Sequence, residues 1–233
     1  NFFWYLDQRL ESGQTEGMTY TSYAMEYVAR FADGLYRVTG NEDFLNHPYV
    51  HTVLPQWVAY FLDPDGNGLV NFSDSSLETQ MSQTTMFLLA RYRDHGLAGW
   101  YLLRAPSVNP WLHIVYGGRP IPVQSPEQLG LPPSKAFWDI GWVALRSGWG
   151  RQDHLLAFHS SGSRLGHNQY DQNHFVLNVA GEWLITDPGY PDYSPGPKNL
   201  VTVHTIGHNA LLVNGQGQIQ KGTGQVVEFF HSG

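Results

Sequence analysis

The first hundred residues place apolar side chains at the three- and four-residue spacing of amphipathic helices. One stripe ends at Gly40 and consists of Ala24, Tyr27, Val28, Phe31, Leu35 and Val38. A second stripe stops at a Pro- and Gly-containing break over residues 63–68 and consists of Tyr49, Val50, Val53, Leu54, Trp57, Val58 and Phe61. Further helices are predicted over residues 75–93, with a Ser or Asp cap, and 97–104. Successive helices with short loops indicate a helical array or toroid.

The pattern changes after residue 105. Seven prolines between residues 105 and 136 disfavour a long helix there. Alternating apolar residues then predict short strands over residues 142–146, 155–160, 175–179, 183–186, 210–213 and 226–230. We therefore expect an α+β chain with three parts. These are toroid helices over residues 1–105, a Pro-rich linker over 106–136 and an antiparallel β-sandwich over 137–233.

The amino-acid composition excludes several classes of function. The net charge of −7 provides no basic field for nucleic acid or an anionic membrane. The absence of Cys excludes thiolate catalysis, Cys-ligated zinc and disulfides. No apolar run reaches the ~18–20 residues of a membrane span. The 8 Trp and 13 Tyr suit a sugar-binding cleft, where rings stack on pyranose faces, or an aromatic-rich core.

The chain begins at Asn1, without Met, inside a helix-like pattern. We therefore expect a fragment of a longer protein, truncated at both ends. We expect that protein to be periplasmic or secreted, with a signal peptide outside this sequence. The sequence carries no signal for an oligomeric state.

A polar cluster over residues 166–175 directly precedes one predicted strand. It contains two His, an Asp, a Tyr and four amides. Because strand alternation sends every second side chain to one face, His167 and Gln169 should share a face.

Four stretches, taken in order, resemble those of the heparinase II/III-like polysaccharide lyases and their uronate-epimerase relatives. They are the EGMTYTSY segment at 16–23, the GHNQYDQNHF segment at 166–175, the TDPGY segment at 186–190 and the GHNALLVNG segment at 207–215. Each motif alone is weak, but their order across a helical-to-β switch is specific. The resemblance implies the C-terminal part of an α/α toroid followed by a truncated antiparallel β-sandwich.

The resemblance also implies β-elimination at a uronic acid. A base removes the C5 proton, the carboxylate is neutralised, and an acid protonates the departing oxygen. It makes Tyr20 the proton-transfer residue, and His167 a base or carboxylate neutraliser. Tyr23, Glu16 and Arg146 become candidates for substrate contact. Arg146 or Arg164 could pair with the substrate carboxylate, although Arg164 is equally a strand-end charge in solvent. The alternatives are a helix-face aromatic for Tyr20, a structural histidine for His167 and a solvated charge for Arg146.

A metal site is implied at Gln169, Asp187 and His208. The family often has His where this chain has Gln169. An amide oxygen shifts preference from Zn toward Ca or Mn, or toward no metal, in which case the three side chains simply hydrogen-bond. Any metal should be mainly structural. Asp171 and Asn173 are expected to organise the local backbone, and His174 is expected to pack or be solvated.

Four hypotheses remain open. The first is a lyase acting on an anionic uronate polysaccharide, either alginate or a glycosaminoglycan. The second is a C5 epimerase of the same fold. The third is a carbohydrate-binding scaffold without activity. The fourth is a glycosidase, for which no carboxylate pair has a mechanistic context. The family's carboxylate-neutralising Asn or His should lie on an earlier helix, before Asn1.

Overall fold

The computed structural model describes residues 2–10, 13–14, 16–117, 120–162, 167–190, 196–219 and 222–230. The α-helices are α1 (Phe2–Asp7), α2 (Gly17–Thr39), α3 (Asp43–Asn46), α4 (Leu54–Phe61), α5 (Gln83–Tyr92), α6 (Gly96–Arg104), α7 (Pro110–Tyr116) and α8 (Pro197–Val203). A π-helical turn, Tyr49–Val53, leads into α4, and a 3₁₀ turn, Thr205–Gly207, follows α8. Within these ranges, no helix is both long and apolar enough to cross a bilayer.

The strands of the described residues form one antiparallel meander in the order β1-β2-β3-β4-β5. They are β1 (Lys135–Phe137), β2 (Trp142–Arg146), β3 (Leu155–His159), β4 (His174–Val179) and β5 (Glu182–Ile185). A helical first part followed by an antiparallel sheet confirms the α+β prediction. The closed toroid stays a prediction.

Three predicted elements were wrong. The helix predicted from residue 75 begins only at Gln83, because the Ser82 hydroxyl accepts the Thr85 backbone N–H and caps it there. Residues 210–213 form no strand, and Val213 makes only an isolated bridge to Gln216. Residues 226–230 are also outside any strand, and two of their four apolar side chains, Val227 and Phe230, are exposed. The prediction missed α7 and β1, which both lie in the Pro-rich stretch.

An aromatic cluster joins the sheet to the helices. Trp142 on β2 is fully enclosed, with ring centroids 5.5 Å from Trp57, 5.3 Å from Phe61 and 5.1 Å from Phe72. Rings at these separations favour tilted and edge-to-face packing. The inner face of the sheet is thereby held against α4 and the loop that follows it.

Arg146 was predicted to contact substrate, and the structure contradicts this. Its side chain lies in the core, where the residue is 6% exposed. The guanidinium donates to the carbonyls of Tyr60 (3.1 Å), Leu62 (2.7 Å) and Gly148 (3.2 Å). Because Tyr60 and Leu62 lie at the C-terminal end of α4, Arg146 supplies the positive charge that a helix C-terminus favours.

Candidate active site

The first turn of α2 is fixed against the loop at residues 71–76. Gly17 begins the helix at φ +88°, and a Cβ there would lie 2.7 Å from the Phe72 carbonyl oxygen and from Ser75 Oγ. Only Gly fits this close approach without strain. The backbone N–H of Thr19 donates to Ser75 Oγ at 3.2 Å. These contacts determine where Tyr20, the next residue, is presented.

Tyr20 and His167 meet although they come from different halves of the chain. Their ring centroids are 3.9 Å apart and their planes differ by 26°, so the rings are stacked. His167 has a φ of +69°, a backbone conformation that is uncommon outside Gly and often found at functional sites. Its side chain is 26% exposed, so a ligand can reach it.

The carboxylate of Asp74 contacts the Nδ1 side of the His167 ring. His167 Nδ1 lies 2.7 Å from Asp74 Oδ2, and the carboxylate is 4% exposed. A carboxylate at Nδ1 accepts the proton on that nitrogen, which places the lone pair of a neutral ring on Nε2. The pair can therefore accept a proton at Nε2.

Gln169 supports the same loop. Its Nε2 is 3.3 Å from Asp74 Oδ1 and 3.3 Å from the Ser73 carbonyl oxygen. Asn71 Nδ2 donates to the backbone carbonyl of Asp187 at 3.2 Å. The loop that carries Asp74 is thereby tied to the 167–169 segment and to the turn at Asp187.

A second polar group lies inside the sheet region. It comprises His174, Asp187 and His208, whose ligand atoms lie within 4.8 Å of one another. Asp187 Oδ2 is 3.0 Å from His174 Nε2 and 3.1 Å from His208 Nδ1. All three side chains are buried, so their charges are shielded little by solvent.

The pKa shifts of this group follow from burial and pairing. Burial lowers the pKa of His174 despite Asp187. Burial would also lower the pKa of His208, but its bond to Asp187 outweighs this and raises it. Burial pushes the pKa of Asp187 up, yet hydrogen bonds from both histidines hold it below its ordinary value. The group is therefore an ionised carboxylate between a neutral imidazole and one that favours its cationic form.

The donor atoms of this region fit a cation. His208 Nε2 and Gln169 Oε1 are buried without a hydrogen-bond partner among the described residues, and His174 Nε2 faces only the Asp187 carboxylate. Two imidazoles and a carboxylate form a ligand set for divalent metals. His174 carries one constraint, since its Nδ1 accepts the Asn209 backbone N–H at 2.9 Å. A neutral ring then keeps its proton on Nε2, so binding a metal there would break the Asn209 bond.

The structure thus brings together most of the predicted metal ligands. Asp187 and His208 lie in one buried group with His174, which the sequence had not nominated. Gln169 is instead hydrogen-bonded to Asp74 through its Nε2, and its role as a ligand stays a prediction. Strand alternation could have placed His174 in the interior, because it shares the buried face of β4 with Val176 and Asn178.

Asp171 extends the buried network. Its Oδ2 lies 2.8 Å from His159 Nε2 and 3.9 Å from His208 Nδ1. Burial raises the pKa of Asp171, but the neighbouring His159 outweighs it and the pKa falls below its ordinary value. Asp171 therefore pairs with His159, the last residue of β3, whereas the sequence suggested only local backbone contacts.

The remaining candidates lie around this centre. Tyr23 is 63% exposed, one turn along α2 from Tyr20. Glu16 precedes α2 and makes no side-chain cap bond. Burial raises the pKa of Tyr5, and the charge of Glu16 adds to this, which places that carboxylate near Tyr5. Arg164, a further candidate for the substrate carboxylate, lies outside the described residues.

The chain is similar to known proteins both in sequence and in fold. Residues 130–228 match the family model described as heparinase II/III-like, C-terminal. Heparan sulfate lyase HepC from Pedobacter heparinus is similar over 88% of this chain and 30% of its own, with 19% identity and a TM-score of 0.62. A heparinase III is similar over 91% of this chain and 32% of its own, with 18% identity and a TM-score of 0.59.

A second heparinase III structure covers 91% of this chain and 34% of its own, with 16% identity and a TM-score of 0.55. No protein of curated function matches the sequence. At these identities, the solved structures establish a shared fold. The chain spans about a third of the length of these solved chains.

Proposed function

We propose that this chain belongs to a polysaccharide lyase, since its residues 130–228 match the heparinase II/III-like, C-terminal family model. Its substrate would be an anionic, uronate-containing polysaccharide, cleaved by β-elimination. The observation that carries the proposal is the stacked pair of Tyr20 and His167, with Asp74 behind the imidazole. The pair joins a helix and the sheet region at a solvent-accessible point, where a polymer can bind.

Each side chain has a distinct role in the proposed reaction. His167 accepts the C5 proton at Nε2, and the Asp74 carboxylate at Nδ1 stabilises the imidazolium that forms. The electron pair of the C5–H bond becomes the C4–C5 double bond as the C4–O bond breaks. Tyr20 donates its phenolic proton to the departing oxygen as the general acid. Asp74 is a positioning residue.

The stacking favours elimination over epimerisation. An epimerase removes the C5 proton on one face of the sugar and returns a proton on the other, so two groups must bracket the ring. Rings whose centroids are 3.9 Å apart are in van der Waals contact, which leaves no space for a sugar between them.

We also propose that a divalent cation, Ca, Mn or Zn, binds at Asp187 and His208, with His174 or Gln169 as a further ligand. Such an ion, held by these residues, would neutralise a buried carboxylate and cross-link chain segments. The residues around it hold β4 to the turn at Asp187, and Gln169 connects this support to Asp74. The role is structural, and no proton transfer passes through the site.

The test uses the full-length protein with uronate polymers, and it measures the ultraviolet absorbance of the unsaturated product. Tyr20→Phe and His167→Ala should each lower kcat about 10²–10⁴-fold with an unchanged circular dichroism spectrum. Asp74→Asn should lower kcat and move the pH–rate profile. Tyr36→Phe, on the same helix but packed against Tyr92, is the matched control.

The possible results separate the hypotheses. Near-normal rates for Tyr20→Phe or His167→Ala would exclude the site. Deuterium uptake at C5 from heavy water without absorbance would favour an epimerase. Binding without either reaction would favour the scaffold.

A further inference from the structure

The backbone of Ser73 has a conformation that serine rarely adopts. Its φ is +60°, in the left-handed region, where the Cβ of an L-residue crowds the following carbonyl oxygen. Among the described residues, the non-glycine positions with a positive φ are Ser73, Asp94, His167, Asn173, Ala180 and Asn214. Asp, Asn and His occur in this region more often than other side chains. Ser73 and Ala180 are therefore the two positions whose backbone the residue type does not explain.

A hairpin turn accounts for Ala180 but not for Ser73. Ala180 and Gly181, with φ of +53° and +88°, join β4 to β5 directly after the pairing of Val179 with Glu182. Two-residue hairpin turns use positive φ because this matches the twist of the flanking strands. Ser73 lies in the loop at residues 71–76, which joins no pair of strands. A strained backbone that no turn requires indicates a functional constraint.

Ser73 contacts both segments that carry the stacked rings. A Cβ on Gly17, the first residue of α2, would lie 3.3 Å from Ser73 Cβ. The Ser73 carbonyl oxygen accepts from Gln169 Nε2 at 3.3 Å, and its hydroxyl is 3.5 Å from Asn168 Oδ1. The residue is 4% exposed, so these contacts are shielded from solvent. Ser73 therefore lies between the start of α2 and the 167–169 segment.

The peptide group that follows Ser73 determines where Asp74 begins. The carbonyl of Ser73 lies in the peptide plane that joins it to Asp74. That carbonyl also accepts the Ser75 backbone N–H at 2.7 Å, in addition to the Gln169 amide. Two donors therefore hold this plane, and the Asp74 carboxylate leaves it toward His167 Nδ1, which it meets at 2.7 Å.

We propose that Ser73 is a positioning residue of the candidate active site, and that its left-handed backbone orients the Asp74 carboxylate toward His167. The proposal rests on the proposed lyase function, in which Asp74 stabilises the His167 imidazolium. The Cβ of Ser73, packed at Gly17, restricts the backbone to few conformations, whereas a glycine would allow many. The strained conformation thereby holds the catalytic groups in their productive arrangement before a substrate binds.

Ser73→Gly tests the proposal in the full-length protein, because it removes the steric strain and frees the backbone together. It should keep the wild-type Tm, since relief of strain offsets the added entropy of a glycine in the unfolded chain. It should lower kcat on uronate polymers about 10-fold with an unchanged KM, because displacing a catalytic group by ~1 Å can cost ~10²-fold. A residue with only a structural role would instead lower the Tm and leave kcat unchanged.

Two variants are the controls. Ser73→Ala keeps the Cβ and removes the hydroxyl, whose 3.5 Å contact with Asn168 is long for a hydrogen bond, so its kcat should stay close to that of the wild type. Ala180→Gly relieves the same kind of strain at the β4–β5 turn, where the Ala180 N–H donates to His154 Nδ1 at 3.1 Å. It should change neither kcat nor KM.

The kinetic results separate this role from the function itself. If the wild type cleaves uronate polymers and Ser73→Gly keeps its kcat, Ser73 does not position the site, and the lyase function stands. An equal loss of kcat in Ser73→Ala would also overturn the proposal, because it would assign the effect to the hydroxyl and not to the backbone.

Absence of cleavage for every polymer would instead overturn the function. The positioning role is then assessed by proton NMR of the His167 Nδ1–H, a signal identified by its loss in His167→Ala. The hydrogen bond to Asp74 slows exchange of this proton with water. A signal that is sharp in the wild type and broadened by exchange in Ser73→Gly supports the proposal, and identical spectra of the two proteins overturn it.

Discussion

Replacing Arg146 distinguishes a structural cation from a substrate-binding one. Arg146→Met keeps much of the side-chain volume but removes the guanidinium from the carbonyls of Tyr60, Leu62 and Gly148. It also removes a cation 5.0 Å from the ring centroid of Trp149. Burial lowers the pKa of Arg146 to about 10, so the group is still charged at neutral pH.

The expected loss of stability is the difference between the hydrogen bonds that are lost and the desolvation cost that is recovered. Hydrogen bonds from a charged donor contribute ~1.5–3 kcal/mol each, so three such bonds give roughly 5–9 kcal/mol. Removing a buried cation recovers several kcal/mol of desolvation. We therefore expect a net loss of about 3 kcal/mol, because two carbonyls at the end of α4 lose a buried donor. For a chain of this size, that corresponds to a fall in Tm of about 6–12 °C.

The assay is thermal and urea unfolding of the variant, with steady-state kinetics on the fraction that stays folded. Arg151→Met is the control, because Arg151 is a half-exposed partner of Asp65 and should cost ~0.5 kcal/mol or less. A variant with wild-type Tm and a raised KM would refute the structural role and restore Arg146 as a substrate residue.

Two further predictions concern the buried network. Because the pKa of Asp171 is lower in the folded protein, its contribution to stability is complete above its unfolded pKa of ~3.9 and is lost as the pH falls through the folded value. Asp171→Asn should therefore be less stable at pH 7 and lose less stability as the pH falls below about 4 in urea titrations; parallel curves would contradict the pairing with His159. Adding Ca²⁺, Mn²⁺ or Zn²⁺ to chelator-treated protein at ~100 times Kd should stabilise it by ~2.7 kcal/mol. His208→Ala should abolish that gain, and no gain with any of the three ions in the wild type would exclude the cation site.

Periodicity alone identified much of the helical part and most of the sheet. The stripe on α2 and the alternation on β2 to β5 repeat often enough for the burial pattern to show in the sequence. The strands predicted over residues 210–213 and 226–230 failed because a short apolar run does not show whether a partner strand pairs with it. Helix α5 started late because Ser82, and not an earlier Ser or Asp, supplies the capping hydroxyl.

The motifs nominated Tyr20 and His167, but not the residue that orients the imidazole. Asp74 lies 93 positions before His167, in a loop whose sequence carries no periodic signal. His174 was similarly expected only to pack or be solvated, just before a predicted strand, and was not recognised as the partner of Asp187. A repeating pattern determines which face of an element is buried, whereas the partner on that face depends on the path of distant loops.

The sequence by itself therefore determined the residue types available for proton transfer, the order of helices and strands, and the exclusion of thiol and nucleic-acid chemistry. Only the tertiary structure decided which charged side chains stabilise the fold and which lie where a ligand can bind. Arg146 became a helix cap because β2 packs on α4, and Asp74 came to orient His167 because its loop lies against the 167–169 segment. Both outcomes depend on contacts between segments far apart in the chain, which local side-chain patterns do not encode.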